Sequence, residues 1–495
     1  PTTLFPSTTL FRSFRYEGTI SSEIGVKDIN LIVHTGECVL LCGRSGCGKT
    51  TLTKLINGLI PNYFPGELSG NVQIDDENIL GMPMYYLATK VGSVFQNPRT
   101  QFFNVDVDSE IAFGIENIAV PPDELHQRLE YTLDSLKIRN LQGKNIFELS
   151  GGEKQKIAFA SVYAMNPDIF LLDEPSSNLD GDSIRDLKNY LRILKQQGKT
   201  ILIAEHRLYY LLDIADRIVY LADGKIEKIY TPQEFRSLSG ATRKHMGLRT
   251  TDIQDVHPIS YQRTFLRPIL TVKDVSLFYK KHPVLEHISL QASKGDIIGV
   301  VGPNGAGKTT FLRTLCGLHK EFTGCFYWRE QPQKENERLK RSYMVMQDVN
   351  YELFADSVEA ECSFGIQGSS PELVEKTLDE LGLLTVRDRH PNTLSGGQKQ
   401  RVAVAVSMIC GKEVLVFDEP TSGLDYDSME QVSGLIRELS KDKVIFVVTH
   451  DYEFVCQTCT RLIRFDHHTM TNDILLSQEN EATILSLMGL GRDER

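Results

Sequence analysis

The stretch that decides the fold is CVLLCGRSGCGKTTLTKLINGL, residues 38–59, which returns in altered form as DIIGVVGPNGAGKTTFLRTLCGL, residues 296–318. Each begins with an apolar run of strand length, passes through GxxxxGK[ST], and continues with the spacing of a helix. Glycine lets backbone amides come close to a phosphate, and the free N–H groups at the following helix start favour its charge. The candidate phosphate-binding residues are therefore Gly43, Ser45, Gly46, Gly48, Lys49, Thr50 and Thr51, and in the second copy Gly302, Asn304, Gly305, Gly307, Lys308, Thr309 and Thr310. In such loops the lysine reaches the β- and γ-phosphates of ATP and the threonine after it binds Mg2+.

Working outward, the repeat extends over nearly the whole chain. FLLDEP at Phe170 is matched by LVFDEP at Leu415, LSGGEKQK at Leu149 by LSGGQKQR at Leu394, and AEHR around His206 by VTHD around His450. The copies share one order and are separated by about 245 to 259 residues, which predicts a duplicated domain and excludes a solenoid of short repeats. Short apolar strands alternate with amphipathic helices, so each half reads as an α/β domain with a mainly parallel sheet. The expected boundaries are 14–230 and 268–495, joined by a linker over 231–267. Residues 1–13 repeat TTLF without any later counterpart and are expected to be a non-native leader.

The carboxylate pairs Asp173-Glu174 and Asp418-Glu419 each follow a buried apolar run, which delivers them to a sheet edge. The aspartate suits Mg2+ and the glutamate suits polarising an attacking water. In LSGG, Ser150, Gly151 and Gly152, and likewise Ser395, Gly396 and Gly397, precede a helix and form a second phosphate-gripping design. A single histidine after a strand would ordinarily be core; equivalent placement after ILIAE and VIFVVT favours a site role for both.

Together these motifs resemble the nucleotide-binding subunits of ABC transporters, from residue 14 to the C-terminus. The resemblance implies two tandem P-loop domains, each with an antiparallel β subdomain and a helical subdomain. It also implies two ATP molecules, each LSGG serving the nucleotide held by the other half. By the same resemblance, Gln96 and Gln347 contact Mg2+ and water, His206 and His450 sense the γ-phosphate, and Tyr16 and Tyr279 stack on adenine. Asp180 and Asp425 would lie in communicating loops. Both halves keep every motif, so two hydrolytic sites are expected.

VFQNPRTQFFNVDVDSEIAFGIEN, residues 94–117, further resembles the corresponding region of energy-coupling factor (ECF) importer ATPases, with a looser copy at 345–365. The implied partners are transmembrane subunits docking in grooves near Gln96 and Gln347, with a separate substrate-capturing membrane subunit, at the cytoplasmic face of the membrane. Asp106, Asp108, Glu110, Asp356, Glu359 and Glu361 are expected to lend those grooves acidic character toward basic coupling helices. The alternative is a twin ATPase acting on ribosomes, but the short seam and a net charge of −11 argue against it and against nucleic-acid partners. Nine scattered cysteines suggest no disulfide framework. Cys456 and Cys459 form a CxxC read as one helical face rather than a redox pair. Cys47, inside the first phosphate loop, is either a small filler or a thiol activated by Lys49.

Overall fold

The computed structural model describes residues 7–17, 24–260, 267–366 and 369–491. It divides into two compact units, 1–179 with 183–251, and 252–495 with 180–182. Strands of the first unit are β1 (Ser7–Tyr16), β2 (Ile24–His34), β3 (Cys38–Gly43), β4 (Gly66–Ile74) and β5 (Glu77–Asn78). They are followed by β6 (Val91–Val94), β7 (Ile169–Asp173), β8 (Thr200–Ala204), β9 (Arg217–Ala222) and β10 (Lys225–Tyr230). The second unit opens with β11 (Leu270–Tyr279), β12 (His282–Ala292), β13 (Ile297–Val301), β14 (Phe322–Trp328) and β15 (Gln331–Pro332). Its remaining strands are β16 (Ser342–Val345), β17 (Val414–Asp418), β18 (Val444–Val448), β19 (Arg461–Asp466) and β20 (Thr469–Leu475).

Each unit carries a four-stranded antiparallel sheet, β2-β1-β4-β5 or β12-β11-β14-β15, and a six-stranded sheet. The larger sheets run β10-β9-β3-β8-β7-β6 and β16-β17-β18-β13-β19-β20. They are parallel except for the outer strands β10 and β20. The α/β class read from the sequence is what forms.

The central strands are apolar because both faces are covered, whereas the outer β10 and β20 are largely polar and exposed. In β7, Phe170 and Leu172 join the core under the helices, while Ile169 and Leu171 join the one shared with the antiparallel sheet. Alternation then aims Asp173 to the face of Leu171, where helix Lys49–Ile56 packs through Leu52 and Leu55. The second unit repeats this: Val414 and Val416 share a core with Phe311 and Leu312, and Asp418 follows in phase. Among the described residues, no helix is long and apolar enough to cross a membrane.

Residues 7–13, part of the stretch set aside as a leader, form the start of β1, the second strand of the antiparallel sheet, with Thr8 opposite Val33 and Ile74. The segment expected as linker is largely folded. Helices Pro232–Arg236 and Gly240–His245 belong to the first unit, with Phe235, Met246 and Leu248 in its core. Past Thr251 the chain joins the second unit, where Ile259 N–H donates to the Cys456 carbonyl at 2.9 Å.

Gly43 (φ +146°) and Gly302 (φ +139°) turn the chain from strand into phosphate loop. A Cβ there would come closer than 3.0 Å to the carbonyl oxygen of Leu221 or Phe465. Replacing either with alanine is predicted to lower stability by about 1–3 kcal/mol through forced backbone strain, read as a reduced denaturation midpoint.

Candidate functional site

The sites form where three adjacent parallel strands end together. Register places Asp173 of β7 level with Ala204 of β8, which lies level with Leu41 of β3. In the second unit Asp418, Val448 and Val300 make the same line. The phosphate loop, the carboxylate pair and the histidine turn therefore leave the sheet side by side, as ligand sites of open α/β sheets do.

Thr50 Oγ1 donates to Asp173 Oδ1 at 3.1 Å, and Thr309 Oγ1 donates to Asp418 Oδ2 at 2.8 Å. Hydroxyl and carboxylate oxygens suit a hard cation such as Mg2+, which takes few protein ligands and completes its shell with water and phosphate. Lys49 Nζ, buried, donates to the carbonyls of Gly43 and Arg44 at 3.0 and 3.1 Å; Lys308 does so to Gly302 and Pro303 at 2.7 and 3.0 Å. No atom lies within 4 Å of a Cβ built at Gly46 or Gly305, so the bend of each loop faces open space, the room a phosphate needs.

Glu174 and Glu419 follow their strands with φ of +46° and +54°, a left-handed turn unusual for glutamate. Both amides stay bonded to the next strand, to Ala204 at 2.8 Å and to Val448 at 2.9 Å, which holds the turn in place. The Glu174 carboxylate receives Gln96 Nε2 at 2.7 Å and lies 3.4 Å from His206 Nε2. Glu419 lies 3.6 Å from His450 Nε2, and Gln347 occupies the place two residues past β16 that Gln96 takes past β6. Sequence positions 78 residues apart thus meet in one hydrogen bond.

Burial, with the neighbouring Glu174 charge, pushes the Asp173 carboxyl up to about 6, against a smaller opposing effect of the Thr50 hydrogen bond. Burial likewise raises Asp418 and lowers Lys308.

Ser150 and Ser395 are N-caps of helices Gly151–Met165 and Gly396–Ile409, each in a capping box with Glu153 or Gln398. The box uses the amides of Ser150 and Glu153, and a Cβ at Gly151 or Gly396 would meet nothing within 4 Å. The Ser-x-x-Glu spacing was legible in LSGGE but reads easily as phosphate binding alone. Tyr16 is half-buried, its hydroxyl 3.1 Å from Thr51 Oγ1, whereas Tyr279 is exposed at the end of β11.

The expected acidic docking surface needs correction. Glu110 and Glu361 are buried and accept backbone amides, Phe103 and Asn104 at 3.0 and 2.8 Å, Phe354 and Ala355 at 2.7 Å each. Asp106 caps helix Val107–Asn117, Asp108 accepts from Gly143 N–H, and Glu359 pairs with Arg387 at 3.7 Å; Asp356 is exposed. What these carboxylates hold out to solvent is aromatic: Phe103 and Phe354 are 75% and 70% exposed. Cys456 and Cys459 are buried, with burial pushing the Cys456 thiol up to about 12. Cys47 is buried with its sulfur 3.9 Å from Lys49 Nζ.

A model of the ABC transporter family matches residues 26–177 and 285–422, more than half of the chain. The chain belongs to the ABC transporter family. This ABC ATPase is 49% identical over 476 residues to a Treponema denticola protein named as a candidate ABC transporter ATP-binding protein, covering 95% of this chain and 97% of that one. A Bacillus subtilis protein named as a candidate HMP/thiamine import ATP-binding protein is 32% identical, covering 87% and 84%. The solved structure of ribosome-bound archaeal Pelota and ABCE1 superposes with a TM-score of 0.69 at 23% identity, covering 96% and 80%, which is a likeness of fold.

A carboxyl raised by burial contributes stability in full below its ordinary pKa of 3.8 and loses it as pH rises through about 6. Asp173→Asn is therefore predicted to raise the melting temperature of the nucleotide-free protein at pH 7.5. The gain over the parent should shrink toward zero by pH 4, as measured by melts across that range.

Proposed function

We propose that this protein is the energising ATPase of an ECF-type importer, binding two ATP molecules and driving membrane subunits that take up a small solute such as a vitamin, a vitamin precursor or a metal ion. The observation that carries the reading is the Gln96–Glu174 hydrogen bond at 2.7 Å. It joins the segment suited to docking a membrane subunit to the carboxylate suited to activating water.

The residues divide the work between binding and proton handling. Lys49 and Lys308 hold the transferred phosphate, and the amides around Gly46 and Gly305 cradle its neighbours. Thr50 with Asp173 and Thr309 with Asp418 would hold Mg2+, which would supply charge neutralisation of the bound phosphates. Glu174 and Glu419 accept a hydrogen bond from the attacking water, and His206 and His450 hold the γ-phosphate from the neighbouring strand end.

Docking is supported by an apolar cavity beside the Gln96 segment, lined in part by Tyr85, Phe103, Phe113, Gly114 and Met165. A groove of this make-up fits an amphipathic helix better than a charged patch would. The import direction is supported by the full-length relationship to the thiamine-import protein and by the ECF-like segment at 94–117. The ribosomal likeness, at 23% identity, extends to the fold alone.

Glu174→Gln with Glu419→Gln is expected to retain ATP and to lower turnover by about a hundredfold or more, the scale of losing a positioned base. Parental turnover would refute the assignment. Phe103→Glu with Phe354→Glu is expected to abolish co-purification with a co-expressed multi-span ECF-type membrane subunit while ATP binding persists. Retained co-purification would remove the assigned groove, whereas a parent that does not co-purify with the subunit, or sediments with ribosomes instead, would overturn the importer reading.

A further inference from the structure

His206 lies two residues past the end of β8, and the residue between is Glu205, 2% exposed. Its carboxylate accepts five hydrogen bonds. Oε1 takes the amides of His206 at 2.7 Å and Arg207 at 3.2 Å. Oε2 takes the amide and hydroxyl of Ser176, at 3.2 and 2.7 Å, and the Tyr210 hydroxyl at 3.0 Å. Meanwhile the Glu205 amide donates to Leu41 on the phosphate-loop strand at 3.1 Å. One buried side chain thus ties the histidine turn to the loop that follows Glu174.

The second unit makes the same tie with different residues. Thr449 replaces the glutamate, and the carboxylate comes from Asp451, on the far side of His450. Asp451 Oδ2 accepts Thr421 Oγ1 at 3.1 Å, and Thr421 stands where Ser176 stands in the first unit. Where the first unit has Arg207 in place of Asp451, the guanidinium donates to the carbonyls of Ser176 and Leu179 at 3.1 and 3.3 Å. A link kept through a change in the residues that make it points to the link itself as what matters.

We infer that Glu205 is the positioning residue of the first ATP site, holding the backbone of His206 so that its imidazole stays within reach of Glu174 and the γ-phosphate. The inference rests on the role proposed above for His206. An ionised carboxylate accepts all five donors, whereas glutamine of the same shape turns an NH2 group toward some of them. A misplaced histidine leaves nucleotide affinity intact and slows the chemical step, because the phosphate loop binds independently of it.

The test compares Glu205→Gln, His206→Ala and the double variant in the full chain by steady-state ATP hydrolysis, with melting temperatures alongside. Glu205→Gln and His206→Ala are expected to lower kcat by the same factor, at least about twofold when one of two sites is lost, with KM unchanged. The double variant should be no slower than His206→Ala. Losses that multiply in the double variant, or a Glu205→Gln loss that appears as raised KM, would overturn the inference and leave the His206 reading standing. An undiminished kcat in His206→Ala would instead remove the His206 reading itself. If Glu205→Gln does not fold, Glu205→Asp, which keeps the charge and draws the carboxylate back from the His206 and Arg207 amides, takes its place in the same comparison with the same expected outcomes.

Discussion

Everything at the two sites depends on the register of three neighbouring parallel strands. Because β3, β8 and β7 are buried on both faces, a slip by one residue would move every side chain to the opposite core. The pairing that prevents this also fixes Leu41, Ala204 and Asp173 in one line. From that line the chain needs only a glycine turn, a left-handed glutamate and a histidine turn to bring the proposed phosphate, cation and water ligands together. Core packing and site geometry are therefore one constraint, and the second unit meets it with Val300, Val448 and Asp418.

Duplication has kept that frame while letting its supports diverge. The threonine–aspartate and histidine–glutamate contacts recur within a few tenths of an ångström. Around them, Cys47 corresponds to Ala306, Glu205 to Thr449, and the half-buried Tyr16 to the exposed Tyr279. The recurring contacts are those of the threonine, aspartate, histidine and glutamate at the strand ends, and the differences lie around them. Such a pattern suits two sites that perform one reaction in slightly different surroundings.

The sequence made the phosphate loops, carboxylate pairs and histidines legible because each is a local pattern attached to a long apolar run. Glu110 and Glu361 show where that legibility ends. Read along the chain they look like solvated helix-start charges, and their burial depends on amides seven residues earlier that point inward after folding. Glu205 escaped for a related reason, since two of its five donors come from Ser176, 29 residues earlier in the chain. The end of the first unit was missed differently. MGL at 246–248 recurs as MGL at 488–490, after a short helix in each unit, yet the mixed polarity of the surroundings concealed the repeat.

The central claim is that one chain carries two equivalent phosphate-loop sites, each built on its own strand register. Equilibrium binding of Mg–ATP to the Glu174→Gln, Glu419→Gln chain tests it most directly. Two nucleotides should bind per chain, falling to one when either Lys49 or Lys308 is changed to alanine. A single nucleotide in the chain with both lysines, or an unchanged count after either lysine is removed, would contradict it.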